Sequence, residues 1–328
     1  MKTLNSVLVT VPFPENHMET LKAALAPAAV HVCIPSDKQA VLDALETADA
    51  AILAGDISDQ ILTGKHLKWV HCDMAGLTGS ARPAVFERGL LVTGSAGRTA
   101  PTLAEHALMF MLALTYDVYG LHDQQRKHSW GGLPGYQDRR GLVEKTVGII
   151  GLGNLGVELA KKCQAFNMRV LGYRRSDEPV NNVDVMYAKD RGETIEPILR
   201  ESDFIVLATS LTDETYHMIG EAELRMMKPS AYLINMCRGS VVDEQALICA
   251  LNEGTIAGAG LDTTEIEPLP ADSLLWDAKN VMITPHNTPT VPDRLGNSLQ
   301  IILTNIERYR NGQPLVNLLT PKDVYTHQ

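Results

Sequence analysis

The sequence predicts an α/β protein built from two doubly wound parallel sheets. Three observations carry that reading. Short apolar runs alternate with helix-like segments before residue 100, a second series of the same kind follows residue 145, and a glycine-rich turn joins an apolar run to a helix in mid-chain.

In the first series Val7–Val11, Val30–Ile34, Ala50–Leu53, Trp69–Cys72 and Leu90–Val92 read as strands. The helix-like spacers between them make βαβ units, and so a parallel sheet. From Pro101 to about Gly120, Leu103, Ala107, Phe110, Met111 and Leu114 recur at helical spacing. Thr102 and Glu105 have the spacing of a capping box, and Pro101 suits a first turn. The second series places strands at Val170–Tyr173, Phe204–Leu207, Tyr232–Asn235, Ala257–Leu261 and Val281–Thr284. Pro285, Pro289 and Pro292 then break the pattern. The amphipathic helix from Ile301 to about Arg310 has no place in the second sheet, so the chain is expected to cross back, with the tail Leu315–Leu319 returning to another element. The predicted domains are residues 1–99 with 292–328, and residues 100–291.

Length and composition bound the function. The chain has 328 residues, 45% of them hydrophobic, and its mean hydropathy is −0.05, which suits a soluble protein of two domains. A net charge of −10 and a pI near 5.5 argue against nucleic acid or an anionic membrane as partner, since both need a basic face. No signal peptide pattern and no run of about 18 apolar residues is present. The five scattered cysteines suit reduced thiols in a cytoplasm, and neither a zinc spacing nor Cys-x-x-Cys occurs, so no metal is expected.

The turn Gly151-Leu152-Gly153-Asn154-Leu155-Gly156 follows Val147-Gly148-Ile149-Ile150 and precedes the helical repeat Leu155, Leu159, Cys163, Phe166. This is the context in which G-x-G-x-x-G marks a dinucleotide site: the glycines allow a tight turn and a close backbone approach, and the helix N-terminus faces the pyrophosphate. Where NAD-preferring chains end the next strand in an acid, this one reads Tyr173-Arg174-Arg175-Ser176. Guanidinium groups suit a 2′-phosphate, so NADP(H) is the preferred cofactor, with NAD(H) possible. The alternative is that Arg174 and Arg175 are solvated loop charges.

Hydride transfer from a nicotinamide needs a carbonyl binder and a proton donor. Three segments just beyond strand ends supply candidates: Asn235-Met236-Cys237-Arg238-Gly239, Asp262-Thr263-Thr264-Glu265-Ile266-Glu267-Pro268, and Thr284-Pro285-His286. Arg238 can instead pair with Asp243 or Glu244, His286 can be a surface or capping residue, and either Glu265 or Glu267 can face His286. His106, on the apolar helix, reads as packed or capping, and His71 and Cys72 read as structural.

Taken in order, Leu67-Lys68-Trp69-Val70 leading to Ala75-Gly76, Ala104-Glu105-His106-Ala107, Gly151–Gly156, the Arg238 segment, Asp262–Pro270 and Thr284-Pro285-His286 resemble the D-isomer-specific 2-hydroxyacid dehydrogenase family over nearly the whole chain. The resemblance implies a flavodoxin-like substrate domain with an inserted Rossmann dinucleotide-binding domain. It implies Arg238 as binder of the substrate carboxylate and carbonyl oxygen, His286 as proton donor, and Glu267 as the carboxylate that favours its imidazolium. It places the nicotinamide carboxamide at Asp262 and near Cys237, adds Thr209 to the cofactor site, and puts the substrate carboxylate at Met74, Ala75 and Gly76. It also implies a homodimer built on the apolar helix and the arm after it. The expected reaction is NADPH-dependent reduction of a small 2-oxoacid, of glyoxylate or hydroxypyruvate type, to the D-2-hydroxyacid. Alternatives are NAD-dependent oxidation of a larger or phosphorylated 2-hydroxyacid, and a dinucleotide-sensing interaction protein on the same scaffold.

Several positions depart from the family pattern: Asp73, Met74, Thr78, Arg98, and the run Asn287-Thr288-Pro289-Thr290. Asp73 can serve a polyol or amine and Arg98 a second anion, or the two can simply pair.

Overall fold

The computed structural model describes residues 2–133, 135, 141–288 and 290–327. The chain divides into two compact units, Met1–Thr99 with Thr290–Gln328, and Ala100–Pro289. The return crossing falls two residues earlier than the sequence boundary at 292, beside Pro289, which lies outside the described residues.

The first unit runs β1 (Ser6–Val9), α1 (Glu15–Leu25), β2 (Ala29–Val32), α2 (Lys38–Leu45), β3 (Ala50–Leu53), α3 (Asp59–Leu62), β4 (Trp69–Cys72), α4 (Pro83–Glu87) and β5 (Leu91–Gly94). All pairs are parallel, in the order β2-β1-β3-β4-β5, the flavodoxin-like arrangement. β1, β3 and β4 are fully buried, which is why they read as largely apolar runs, with Ser6 and His71 their polar members.

The second unit runs α5 (Ala100–Tyr116), α6 (Val118–Arg126), β6 (Thr146–Ile150), α7 (Asn154–Ala165), β7 (Arg169–Arg174), β8 (Val185–Ala188), α8 (Glu196–Glu201), β9 (Phe204–Leu207), α9 (Glu221–Met226), β10 (Tyr232–Asn235), α10 (Glu244–Glu253), β11 (Gly258–Leu261) and β12 (Val281–Ile283). Its seven-stranded parallel sheet has the order β12-β11-β10-β9-β6-β7-β8. The chain turns outward one way from β6 and resumes on the other side at β9, so the switch point of a Rossmann sheet lies between these strands. Ala104, Ala107, Phe110 and Met111 of α5 are buried in the same core as β6 and α7. α5 also sits directly on β11: a Cβ on Gly260 would lie 2.6 Å from Phe110 Cγ, so a larger residue there would push the helix off the sheet.

Helix α11 (Arg294–Arg310) closes the chain in the first unit, burying Leu299, Ile302, Ile306 and Tyr309 against β1, β3 and α1. The tail then joins the β5 edge, where Leu319 donates to the carbonyl of Val92 (2.8 Å) and Thr93 bridges Leu318.

Several expectations need correction. The strands expected at Val7–Val11, Val30–Ile34 and Leu90–Val92 lie a residue or two away, and β8 was not anticipated. The long helix begins at Ala100, so Thr102 lies inside it and caps nothing, and Glu105 instead reaches Lys162 of α7 (3.4 Å). It stops at Tyr116, because Asp117 turns left-handed (φ 49°) and caps α6 through Gly120 N–H. α11 starts well before Ile301, with polar Ser298 buried in its inner face and Asn297 and Gln300 exposed on the outer one.

Asp73 and Arg98 pair with each other. Arg98 Nη1 lies 2.6 Å from Asp73 Oδ1, with side chains only 6% and 3% exposed, and also reaches the Asp73 carbonyl (2.7 Å) and Ser298 Oγ (3.2 Å). The pair continues into an ordered chain. Ser95 Oγ donates to Asp73 (2.9 Å), so its oxygen accepts from His71 Nε2 (3.0 Å), while His71 Nδ1 meets Thr93 Oγ1 (3.0 Å), which also accepts from Trp69 Nε1 (2.9 Å). The reading in which the two residues pair is the one the structure shows, through Arg98 Nη1 and Asp73 Oδ1; the buried Arg98 Nε has no hydrogen-bond partner among the described residues.

Candidate active site

Every candidate residue of the second unit lies at or just beyond the carboxyl end of a strand, where open parallel sheets bind ligands. Gly151 follows β6 with φ 106°, and a Cβ there would lie 2.5 Å from the Ala208 backbone, so glycine is required twice over. Gly153 precedes α7 with no side-chain cap, and a Cβ at this position would meet nothing within 4 Å. Asn154, Leu155 and Gly156 form the first turn of α7, whose leading amides have no intrahelical acceptor. Open space over uncapped amides at a helix N-terminus is what a pyrophosphate requires, so these residues fit a dinucleotide.

Arg174 ends β7. It is held only loosely, 3.4 Å from the Glu178 carbonyl and 3.9 Å from the exposed Glu178 carboxylate. Arg175 follows it, its carbonyl accepting from Asp190 N–H (2.9 Å). Half-buried Thr209 lies just past β9, beside Gly151.

Cys237 and Arg238 follow β10. Asn235 Oδ1 accepts from both the amide and the thiol of Cys237 (3.1 Å each), and burial pushes that thiol up to about 11. It stays protonated and packs as a small hydrophobe. Arg238 Nη1 donates to the Cys237 carbonyl (2.8 Å); no ion pair with Asp243 or Glu244 is found among the described residues. Asp243 caps α10 instead, and Glu244 accepts the Glu265 amide (3.1 Å).

The two glutamates of the β11 loop separate cleanly. Glu267 Oε2 lies 2.7 Å from His286 Nδ1, and its Oε1 accepts from Thr264 N–H (3.2 Å). Glu265 Oε1 lies 2.8 Å from His217 Nε2, whose ring stacks on Tyr216 (4.0 Å). Burial works against the Glu267 charge, but the His286 hydrogen bond and charge, the Thr264 amide and Arg238 outweigh it and hold the carboxyl below its ordinary range. His286 follows β12 in a left-handed conformation (φ 48°).

Asp262 is buried, and its Oδ1 accepts from Thr284 Oγ1 (2.6 Å). In the first unit, Met74 is half-buried and its carbonyl accepts from Ser95 N–H (2.8 Å). Among the described residues the amides of Ala75 and Gly76 make no hydrogen bond, and Ala75 is exposed. His106, Thr284, Thr288 and His217 were not assigned from sequence as parts of this constellation. The spacing Thr284-x-His286-x-Thr288 was the one available signal.

A Rossmann sheet with an open glycine turn at its switch point defines a dinucleotide-binding unit, and a histidine–carboxylate pair stands at its carboxyl edge. Comparison with known proteins gives the family. Residues 108–288 match the model described as D-isomer specific 2-hydroxyacid dehydrogenase, NAD binding domain. Glyoxylate reductase of Korarchaeum cryptofilum is 32% identical over 301 residues, 88% of each chain. That of Thermococcus gammatolerans is 42% identical over 212 residues, 64% of this chain, and the match spans about half (54%) of the relative's length. The D-isomer specific 2-hydroxyacid dehydrogenase of Xanthobacter autotrophicus Py2, solved with NADPH and MES, is 27% identical and superposes with a TM-score of 0.81, over 97% of this chain and 99% of that one. The chain belongs to the D-isomer specific 2-hydroxyacid dehydrogenase family and is an NAD(P)-dependent oxidoreductase. Among the described residues no helix is long and apolar enough to cross a membrane.

Proposed function

We propose that this chain reduces a small 2-oxoacid, of glyoxylate or hydroxypyruvate type, to the D-2-hydroxyacid with NADPH. The observation that carries the proposal is the 2.7 Å pair of His286 Nδ1 and Glu267 Oε2, with Arg238 near enough to act on the Glu267 charge. The names of the glyoxylate reductase relatives support the substrate class.

A bound dinucleotide supplies the hydride; the residues supply the rest. Glu267 accepts from His286 Nδ1–H, which orients the ring and leaves Nε2 to face substrate. His286 then gives the Nε2 proton to the carbonyl oxygen as hydride reaches the carbonyl carbon. Arg238 holds the substrate carboxylate and polarises the carbonyl, a task suited to a planar fork of donors. The free amides at Ala75 and Gly76, beside Met74, are assigned to the same carboxylate. Asp262, with the backbone at Cys237, is assigned to the nicotinamide carboxamide. Gly151–Gly156 and Thr209 take the pyrophosphate side.

Arg174 and Arg175 are assigned to the 2′-phosphate, which sets NADPH above NADH. Arg174→Asp should lower the ratio of kcat/KM for NADPH to that for NADH by roughly 10–100-fold, the loss of one or two charge-assisted hydrogen bonds. An unchanged ratio, or a wild type that uses NADH as well as NADPH, would overturn the preference. Tyr116, Val118 and Tyr119 are exposed on α5 and α6, and we assign this face to a second copy in a cytoplasmic homodimer. A monomer mass in sedimentation at micromolar concentration would sink that assignment.

A further inference from the structure

We propose that His106 is a positioning residue that locks the loop carrying His286 and ties it, through Thr284, to Asp262. The inference rests on the reading of His286 as proton donor and names what holds that donor in place.

His106 lies on α5 with its side chain 16% exposed and its ring edge-on to Phe110, 4.8 Å between centroids. Its two nitrogens meet two threonines that bracket His286: Nε2 is 3.0 Å from Thr284 Oγ1, and Nδ1 is 2.9 Å from Thr288 Oγ1. The proton positions follow from chemistry. The Asp262 carboxylate can only accept, so the Thr284 hydroxyl spends its proton on Asp262 Oδ1 (2.6 Å). Thr284 oxygen must then accept from His106, which fixes the Nε2–H tautomer. In the neutral ring Nδ1 carries a lone pair, and the Thr288 hydroxyl donates to it.

Burial lowers the His106 pKa against the opposing pull of Asp262, which suits a neutral ring. His106 is therefore no second acid. Its work is mechanical: His286, a non-glycine residue at φ 48°, is held in a strained backbone conformation that persists where the surroundings over-determine it. Two threonines tied to one ring, on a helix packed against β11, do this for His286. The same ring reaches Asp262 through Thr284, so the carboxamide anchor and the proton donor are set by one network. Small misplacements of reacting groups cost rate steeply, so the network should be visible in kcat.

The test uses the full-length enzyme. His106→Leu removes both arms, Thr288→Val removes one without changing shape, and His106→Gln can restore the donor to Thr284. Expected results are a kcat lower by roughly 10–100-fold in His106→Leu, a smaller loss in Thr288→Val, and partial recovery in His106→Gln, with KM moving less than kcat. Independently of turnover, imidazole nitrogen NMR of the nucleotide-free wild type should show His106 as a neutral Nε2–H tautomer at pH 7. A His106→Leu enzyme with wild-type kcat, or a charged or Nδ1–H His106, would overturn the inference. Should His106→Leu not fold, Thr288→Val decides: wild-type kcat in that variant counts against the lock. His286→Asn assayed alongside separates the two claims. If it stays active, the proton-donor reading fails; if it is inactive while His106→Leu is normal, only the lock fails.

Discussion

His286→Asn lowers kcat for 2-oxoacid reduction by roughly 10³-fold, near the middle of the range for loss of a general acid and about 4 kcal/mol of barrier. Asparagine is chosen because its amide can still donate to Glu267 from close to the Nδ1 position, so the loop and the carboxylate keep their contact. What disappears is the Nε2 proton. Arg238 and the amides assigned to the substrate carboxylate are untouched, so KM should move far less than kcat. That split separates an acid acting in the transition state from a residue that only binds substrate. Steady-state kinetics across pH measures it, and a variant within a few-fold of wild type would remove His286 from the chemistry.

The largest expected effect on stability lies in the first unit. Arg98→Met leaves the Asp73 carboxylate buried beside Ser95 with no cation, and should cost about 3–5 kcal/mol in chemical denaturation. Asp73→Leu added to Arg98→Met should recover part of that, since the loss comes chiefly from the uncompensated charge. The same chain gives a pH signature. Burial lowers the His71 pKa from 6.5 to about 4. The fold therefore favours the neutral ring, and the contribution is complete above pH 6.5. It is lost as pH falls from there through about 4, by up to about 1.4 kcal/mol per pH unit and about 3 kcal/mol in all. A His71→Gln variant should lack this slope. Equal stability of Arg98→Met and wild type would show that the pair carries no such load.

What was legible in the sequence is what local physics dictates. The buried strands read as apolar runs because both their faces are covered, and the Gly151–Gly156 turn is legible because a side chain at Gly151 would strike the Ala208 backbone and one at Gly156 the Gly151 carbonyl. β8 was not legible: it is an edge strand, mostly half-buried, and Val185-Met186-Tyr187-Ala188 is too short a run to stand out. The start of α11 was hidden because Ser298, fully buried, takes a place on its inner face that an apolar residue would mark. The acid partner of His286 was ambiguous from sequence, since Glu265 and Glu267 are two residues apart and the loop's course decides which one faces it. His106 is bonded to residues 178 and 182 positions away, a relation that exists only once α5 has packed on β11. Asp73 and Arg98 left two readings open because a buried ion pair and an anion site use the same residue types.

The measurement that bears most directly on the proposed activity is a chiral assay of the product formed from hydroxypyruvate and NADPH, with nucleotide consumption followed in the same reaction. The proposed reading gives one D-glycerate for each NADPH oxidised, and slower turnover with NADH. Formation of the L-isomer, or no NADPH oxidation with hydroxypyruvate, glyoxylate or any other small 2-oxoacid, would contradict it.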